Sequence, residues 1–396
     1  MEYIAIGNLC SVSSSKRIFA EQYVDEGVPF YRQKEILAKS RHQVIDDPIY
    51  ISRDTYEKIK GKFGVPKEKD ILLTAVGVTL GIPYLVSNEE FYFKDGNLIW
   101  LSDFDEKLNP EYLYYWLASK TGHDSIYMKA IGSAQPAITI DMIKRYKFFM
   151  PERRIQDVIV STMSSYDEIM ENNNKRIKIL EKIVENLYKE WFIKLRIPGK
   201  KIVAKKAQSP KGWMPAQIEH MVIPEDWHFG ELKELGEFVR GRNITAAQME
   251  DGKVPVISAG LEPSGYHNKS NVKGESITIS ASGANAGFLK YNLSDIWAAD
   301  CSYYQNDDYL WFVYSSLKYL QPVLSNLQCG AAQPHVYPKN INKLQIIIPT
   351  EDIIKMYCEI VKPIFEEIGV ISKKTELMSK QKQLLLPRLM SGKLKI

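Results

Sequence analysis

Residues 131–151 read IGSAQPAITIDMIKRYKFFMP, and residues 329–349 read CGAAQPHVYPKNINKLQIIIP. The two segments align without a gap at an offset of 198, half of the 396-residue chain. Gly132 and Gly330, Ala134 and Ala332, Gln135 and Gln333, Pro136 and Pro334, Ile143 and Ile341, and Pro151 and Pro349 are identical. A repeat of half the chain implies pseudo-two-fold symmetry within one polypeptide. Two related but non-identical modules suit a partner that itself presents two related sites.

Working outward, other stretches repeat. Residues 111–119 (EYLYYWLAS) parallel 308–316 (DYLWFVYSS), and Val28-Pro29 parallels Val254-Pro255. Residues 70–85 (DILLTAVGVTLGIPYL) parallel 275–289 (ESITISASGANAGFL): an apolar strand, a loop of small and hydroxyl residues, and a second apolar run. Offsets differ in these early parts, so the loops there differ in length. Each half then runs through Gln-Pro, a strand and a proline into a long helical pattern.

The first mixed domain spans 1–150, with β-like runs at 71–75, 84–87, 91–93 and 147–150. Asn109-Pro110-Glu111 reads as a helix start: Asn at the N-cap, Pro in the first turn, then an acid. From 151 to 195 the period becomes helical. Ile159, Tyr166, Asn173, Leu180 and Leu187 step by seven, beside Met163, Met170, Ile177, Val184 and Trp191. At 1.5 Å per residue this helix would span roughly 66 Å, which predicts a coiled-coil partner. Residues 196–228 read as a basic, proline-rich linker with Pro198, Gly199, Pro210, Gly212, Pro215 and Pro224. The second mixed domain spans 229–350. The second helix, with a tail, spans 351–396 and is marked by Ile353, Tyr357, Ile360, Ile364, Ile368, Ile371, Met378 and Leu385. Pro363 and Gly369 predict a kink or break inside it, and Pro387 predicts its end. Ile159, Tyr166, Leu180 and Leu187 should pack against Ile364, Ile371, Met378 and Leu385. The fold class is therefore α+β: two tandem mixed domains and two long helices pairing antiparallel as a spacer.

Composition excludes several classes. The net charge is +4, and seven basic residues with no acid lie between Lys194 and Lys211, leaving the remainder at about −3. A DNA footprint must therefore come from local patches. The bland alternative for the basic run is a solvated linker. The N-terminus lacks the features of a signal peptide, and no apolar run is long enough for a membrane span. Cys10, Cys301, Cys329 and Cys358 are dispersed. That fits a reducing cytoplasm and offers no zinc site. No P-loop, dinucleotide fingerprint, nucleophile elbow or H-E-x-x-H occurs. Asn109-Pro110-Glu111-Tyr112 departs from the N-P-P-[YF] loop of amino-methyltransferases at its third position, and reads better as a helix cap.

The candidate binding residues lie in the mixed domains. Thr74 and Thr79, and Ser280, Ser282 and Asn285, sit in polar loops whose backbone could approach phosphates. Lys16, Arg17, Arg32 and Lys34 in the first half, and Arg240, Arg242, Asn243 and Lys269 in the second, have chemistry suited to phosphates and base edges. For any one of them surface solvation is the simpler reading, and the loops read equally as ordinary strand turns. The repeated Gln-Pro reads first as a turn that launches the following strand.

Taken together, these features resemble the specificity subunit of type I restriction–modification systems over essentially the whole length. The resemblance rests on the two domains, the two long helices, the paired G-x-A-Q-P segments and the closing QLLLPRLMSGKL at 383–394. It implies that each domain is a target recognition domain reading one half of a split, asymmetric DNA sequence. It implies that the helices set the gap between the halves and carry two methylation subunits, which restriction subunits join. It implies a chain with no catalysis, cofactor or metal of its own, S-adenosylmethionine, ATP and magnesium belonging to the partner subunits. Pro363 departs from a straight second helix. Two other readings remain: a stand-alone DNA-modifying enzyme with an atypical site, and a coiled-coil scaffold that binds only protein.

Overall fold

The structure is a computed structural model. It describes residues 2–41, 43, 45, 47–131, 136–208, 220–328 and 334–390. The paired segments 132–135 and 329–333, the linker centre 209–219 (with Pro210, Lys211, Gly212 and Pro215) and the closing 391–396 lie outside the described residues. By its contacts the chain falls into two units, Met1–Glu171 with Thr375–Ile396, and Asn172–Lys374.

In the first unit a four-stranded antiparallel sheet runs in the order Ser11–Ser13, Leu98–Ser102, Ile71–Thr74, Pro83–Leu85. A second sheet runs Tyr23–Val24, Ile49–Ile51, Val28–Tyr31, Tyr92–Phe93, its last pair parallel. Glu2–Ala5 pairs with Lys147–Met150 as a ribbon. Strands Ile71–Thr74 and Leu98–Ser102 are buried at every position, as expected of strands covered on both faces.

The second unit repeats this plan. Its four-stranded sheet runs Val239–Arg240, Cys301–Tyr304, Ser276–Ser280, Leu289–Asn292. In its three-stranded sheet Val254–Ile257 pairs antiparallel with Gly265–His267 and parallel with Trp297–Ala298. The repeat extends to register: Pro29 faces Tyr50, and Pro255 faces Tyr266. His228–Glu231 with Gln345–Ile348 matches the terminal ribbon. The unequal offsets have a plain cause. Helix Gln33–Ser40 lies between strands Val28–Tyr31 and Ile49–Ile51, where the second unit carries only 258–264. Asn109 caps helix Pro110–Ala118 by accepting the Glu111 N–H at 2.9 Å, and Asn306 accepts the Asp308 N–H at 2.9 Å in the same place.

The first long helix runs Arg153–Tyr188 and continues as a π turn through Lys189–Ile193. The second runs Glu351–Met390 without interruption. The break expected near Pro363 and Gly369 is therefore absent, and Pro387 does not end the helix. Pro363 lacks an N–H for the Glu359 carbonyl, but both residues are exposed, so water can take that bond. Buried Val361, Phe365 and Ile368 hold the segment, Phe365 stacking on Trp311 with centroids 3.8 Å apart. A Cβ on Gly369 would come within 3.1 Å of the Leu293 side chain, so this glycine serves close packing rather than a break. Beyond Pro387, buried Leu389 and Met390 anchor the last turn.

Within each unit the two long helices touch. In the first, Ile159, Val160 and Met163 share a core with Leu386, Leu389 and Met390, with Tyr166 and Leu385 at its edge. Lys382 pairs there with Asp167, which also accepts the Tyr115 hydroxyl at 2.8 Å. Gln156 is buried and fixes the helix start: it accepts the Asn109 N–H and donates to the carbonyls of Lys107 and Pro151. In the second unit, Val184, Tyr188 and Trp191 share a core with Tyr357, Val361 and Phe365, and Leu180, Leu187 and Ile364 pack against it. Arg176 pairs with Glu367 at 2.9 Å. The Tyr357 hydroxyl, fully buried, is satisfied by Ser315 at 2.9 Å. Ile371 is buried and Met378 half-buried, but Ile360 is exposed, the buried position being Val361.

The stretch 196–228 is more than a solvated linker. Ala204–Gln208 pairs with His220–Pro224 as an antiparallel ribbon, and Ile197, Ile223 and Trp227 are buried in the second unit's core. Apolar residues within a polar stretch found a core to join.

Candidate nucleic-acid interface

In each unit the loop between the third and fourth strands of the four-stranded sheet is built to one plan. Residues 74–82 read TAVGVTLGI and 280–288 read SASGANAGF. Gly77 and Gly81 have φ of 81° and 83°, and Gly283 and Gly287 have 74° and 83°, left-handed values that favour glycine. The Gly81 N–H donates to the Thr74 carbonyl at 2.8 Å, and Gly287 N–H to Ser280 at 2.9 Å. Gly77 donates to the Pro136 carbonyl at 2.8 Å, and Gly283 to that of Pro334 at 3.1 Å. The Ile138 N–H bonds the Ala75 carbonyl at 2.9 Å, and Val336 bonds Ala281 at 3.0 Å. The prolines of the Gln-Pro repeat thus hold the loop; they do not launch the following strand, because helices Ile140–Arg145 and Pro338–Asn342 stand between each proline and its strand. Gln135 and Gln333 lie outside the described residues.

The loop residues chosen from sequence divide by burial. Thr74 is fully buried; its hydroxyl accepts the Ile82 N–H at 2.9 Å and donates to the Thr79 carbonyl. Ser280 is buried and donates to the Ala259 carbonyl at 2.9 Å. Both side chains are committed to the fold, so their hydroxyls present no free face; a strand-end position in a covered sheet explains it. Thr79 is half-buried and its hydroxyl takes a bond from Gln33 at 2.9 Å. Gln33, which sequence reasoning missed, also donates to the Val76 carbonyl at 2.8 Å and braces the loop from a neighbouring helix. Ser282 donates to Asp300, and Asn285 is half-buried.

Several chosen cations are neutralised locally. Arg17 pairs with Asp95 at 2.8 Å. Arg32 pairs with buried Glu35 at 2.6 Å, and that hydrogen bond holds its guanidinium above its ordinary pKa. Lys34 lies 3.6 Å from Glu35 and 3.8 Å from Asp47. Arg240 pairs with Asp300, so one missed acid gathers Arg240 and Ser282. The backbone N–H of Lys16 bonds the Tyr92 hydroxyl at 2.6 Å, while its ammonium sits 5.4 Å over the Phe63 ring. Arg242, Asn243 and Lys269 are exposed, and among the described residues Arg242 and Lys269 have no ion-pair partner. Exposed donors of this kind suit phosphate and base-edge contacts. The pairs with Asp95 and Asp300 could not be read from sequence, because each closes over a tertiary contact; Arg32 and Glu35 stand three apart at a helix start, a spacing the sequence does carry.

Among the described residues no group of His, Cys, Asp and Glu could hold a metal ion. No described helix is long and apolar enough to cross a membrane. Burial pushes the thiols of Cys10 and Cys301 up to about 12 and that of Cys358 to about 11.

Comparisons with known proteins agree on one group. The family model described as Type I restriction modification DNA specificity domain matches residues 1–182 and 224–381. The Type I restriction enzyme MjaIX specificity subunit of Methanocaldococcus jannaschii is 26% identical over 324 residues, covering 72% of this chain and 69% of that protein. The MjaVIII specificity subunit of the same organism is 23% identical over 374 residues, covering 86% and 83%. Among solved structures, the type I restriction–modification S subunit from M. genitalium superposes with a TM-score of 0.61 at 19% identity, covering 98% of this chain and 95% of that one. This last likeness shows the fold.

Proposed function

The chain belongs to the Type I restriction modification DNA specificity domain family, and from that premise we propose that it directs a type I restriction–modification complex to a split DNA sequence. Residues 1–150 and 229–350 serve as target recognition domains, each reading one half. The observation that carries this is the repeated loop: one backbone frame appears in both units, carrying different residues at its tip. A common frame with divergent tips is what two modules need to dock alike and read different bases. The target is therefore asymmetric. Exposed Lys16, Arg242, Asn243 and Lys269 supply contacts to it, and Arg17, Arg32, Lys34 and Arg240 can exchange their carboxylate partners for phosphate.

The two long helices run antiparallel as a spacer that fixes the unread gap. Their outer faces carry apolar side chains that solvent does not favour. In the first unit these include Ile155, Val158, Ile169, Leu377 and Leu384; in the second, Ile179, Ile183, Ile360 and Val370. Stripes of this kind on a helix suit partner helices. Two methylation subunits dock there, and restriction subunits join that core in the cytoplasm. S-adenosylmethionine, ATP and magnesium belong to those partners, which flip and modify the base. A stand-alone enzyme and a protein-only scaffold are less favoured, because neither accounts for two matched loops with divergent tips. The test is replacement of residues 229–350 by the equivalent domain of another specificity subunit, followed by sequencing of modified adenines. One half-site should change while the other half and the gap stay. Change in both halves, or in neither, would contradict the reading.

A further inference from the structure

Val78 is 93% exposed, more than any other large apolar residue among those described. It stands at the tip of a loop that is heavily braced. Gly77 is held by Pro136, Leu80 by Gly77, Gly81 by Thr74, and both Val76 and Thr79 by Gln33. A loop fixed at so many points spends no bond on burying its valine; it holds the side chain out in water. Burying a Val side chain is favourable by roughly 1.5–3 kcal/mol, so a braced and fully exposed one points to a partner surface.

The second unit identifies which kind of partner. Gly283 corresponds to Gly77 in sequence, φ and hydrogen bonding, and the next residues are Ala284 and Asn285 where the first loop has Val78 and Thr79. Ala284 is also exposed. The frame residues Ala75 and Ala281 agree, as do both glycines, while the tips differ. Identical docking subunits would meet like tips. Two different DNA half-sites would require unlike ones. The tip chemistry agrees with base edges: an apolar side chain suits the 5-methyl group of thymine, and Asn suits adenine.

We propose that Val78 reads the 5-methyl group of one thymine in the half-site of the first domain, and that Ala284, in the matching position, and its neighbour Asn285 contact bases of the other half-site. This rests on the specificity-subunit reading above. Val78, Ala284 and Asn285 are specificity-determining, and Gly77 and Gly283 at the start of each tip aim them.

The test uses the full chain with its methylation subunits. Sequencing of modified adenines first gives the wild-type target; absence of any split motif would sink the specificity reading itself. With a split motif in hand, binding of the complex is measured on duplexes in which each thymine of the half-sites is replaced singly by deoxyuridine, which lacks the methyl group. One replacement in one half should weaken wild-type binding about five- to tenfold, at the low end of the usual cost of a mismatch. The same replacement should cost Val78→Ala less than it costs the wild type, because the shorter alanine side chain makes a smaller contact with the methyl group. Ala284→Val should alter preference in the opposite half only. If no deoxyuridine distinguishes wild type from Val78→Ala, the proposal fails while the specificity reading stands. A Val78→Ala effect equal on all sequences would also overturn it, as the mark of a backbone or protein contact.

Discussion

Charge reversal at Lys382 tests the helix pairing in the first unit. Lys382 and Asp167 form an ion pair with side chains 20% and 39% exposed, and the ammonium lies 5.1 Å over the Tyr115 ring. Asp167 also receives the Tyr115 hydroxyl. The pair lies between a surface bridge, worth under about 1 kcal/mol, and a buried one, whose disruption costs about 3–5 kcal/mol. Lys382→Glu removes the attraction and puts two carboxylates together. At about 4 Å and an effective dielectric constant of about 40 the repulsion adds roughly 2 kcal/mol. The total is about 3–5 kcal/mol, or roughly a 150- to 5,000-fold rise in opening. Hydrogen exchange of the amides at 160–171 and 378–390 reports that opening directly. The double variant Asp167→Lys with Lys382→Glu should recover most of the loss, because the pair is remade with its ends exchanged. Additive damage in the double variant would show that the two residues do not act on each other, and the pairing in this unit would fall with them.

Three further outcomes follow from local structure. Pro363→Ala should raise the melting temperature and leave helix content by circular dichroism unchanged, adding about 1–3 kcal/mol to a helix that already runs through this position; a large gain in helix content would mean that the proline does interrupt it. Gln33→Ala should speed amide exchange at 76–80 about tenfold while the flanking strands stay protected, since two bonds to the loop are lost. The buried thiols of Cys10, Cys301 and Cys358 have raised pKa values, so their contribution to stability is complete below the ordinary value of 9.0 and is lost as pH rises toward 11 to 12; denaturant midpoints should fall over that window, and less so in a Cys301→Ser variant.

The duplication was legible because it is local: residues 131–151 and 329–349 keep their prolines in register, and Val28-Pro29 and Val254-Pro255 turned out to be strands with matching tyrosine partners. The long helices were legible for the same reason, their buried rows following the 3.5-residue period. Prolines misled the reading of the second helix. A proline on an exposed face loses a bond that water replaces, and the packing of Phe365 on Trp311 outweighs it. The period also slipped at Ile360, where the neighbouring Val361 faces inward. The interface was less legible. Thr74 and Ser280 have hydroxyls suited to phosphate, but their strand-end positions bury them. Gln33 and Asp300 matter only because the fold brings them beside residues 18 to 60 positions away, a relation no short window of sequence contains.

The central claim is that two related domains give one address in two parts. Its most direct test is the pattern of modified adenines in DNA from a host that expresses this chain with the methylation subunit of its own system. A motif of two unlike half-sites at one fixed gap is the result the account requires. A continuous motif, a palindrome, or an assembled complex that leaves the DNA unmodified would contradict it.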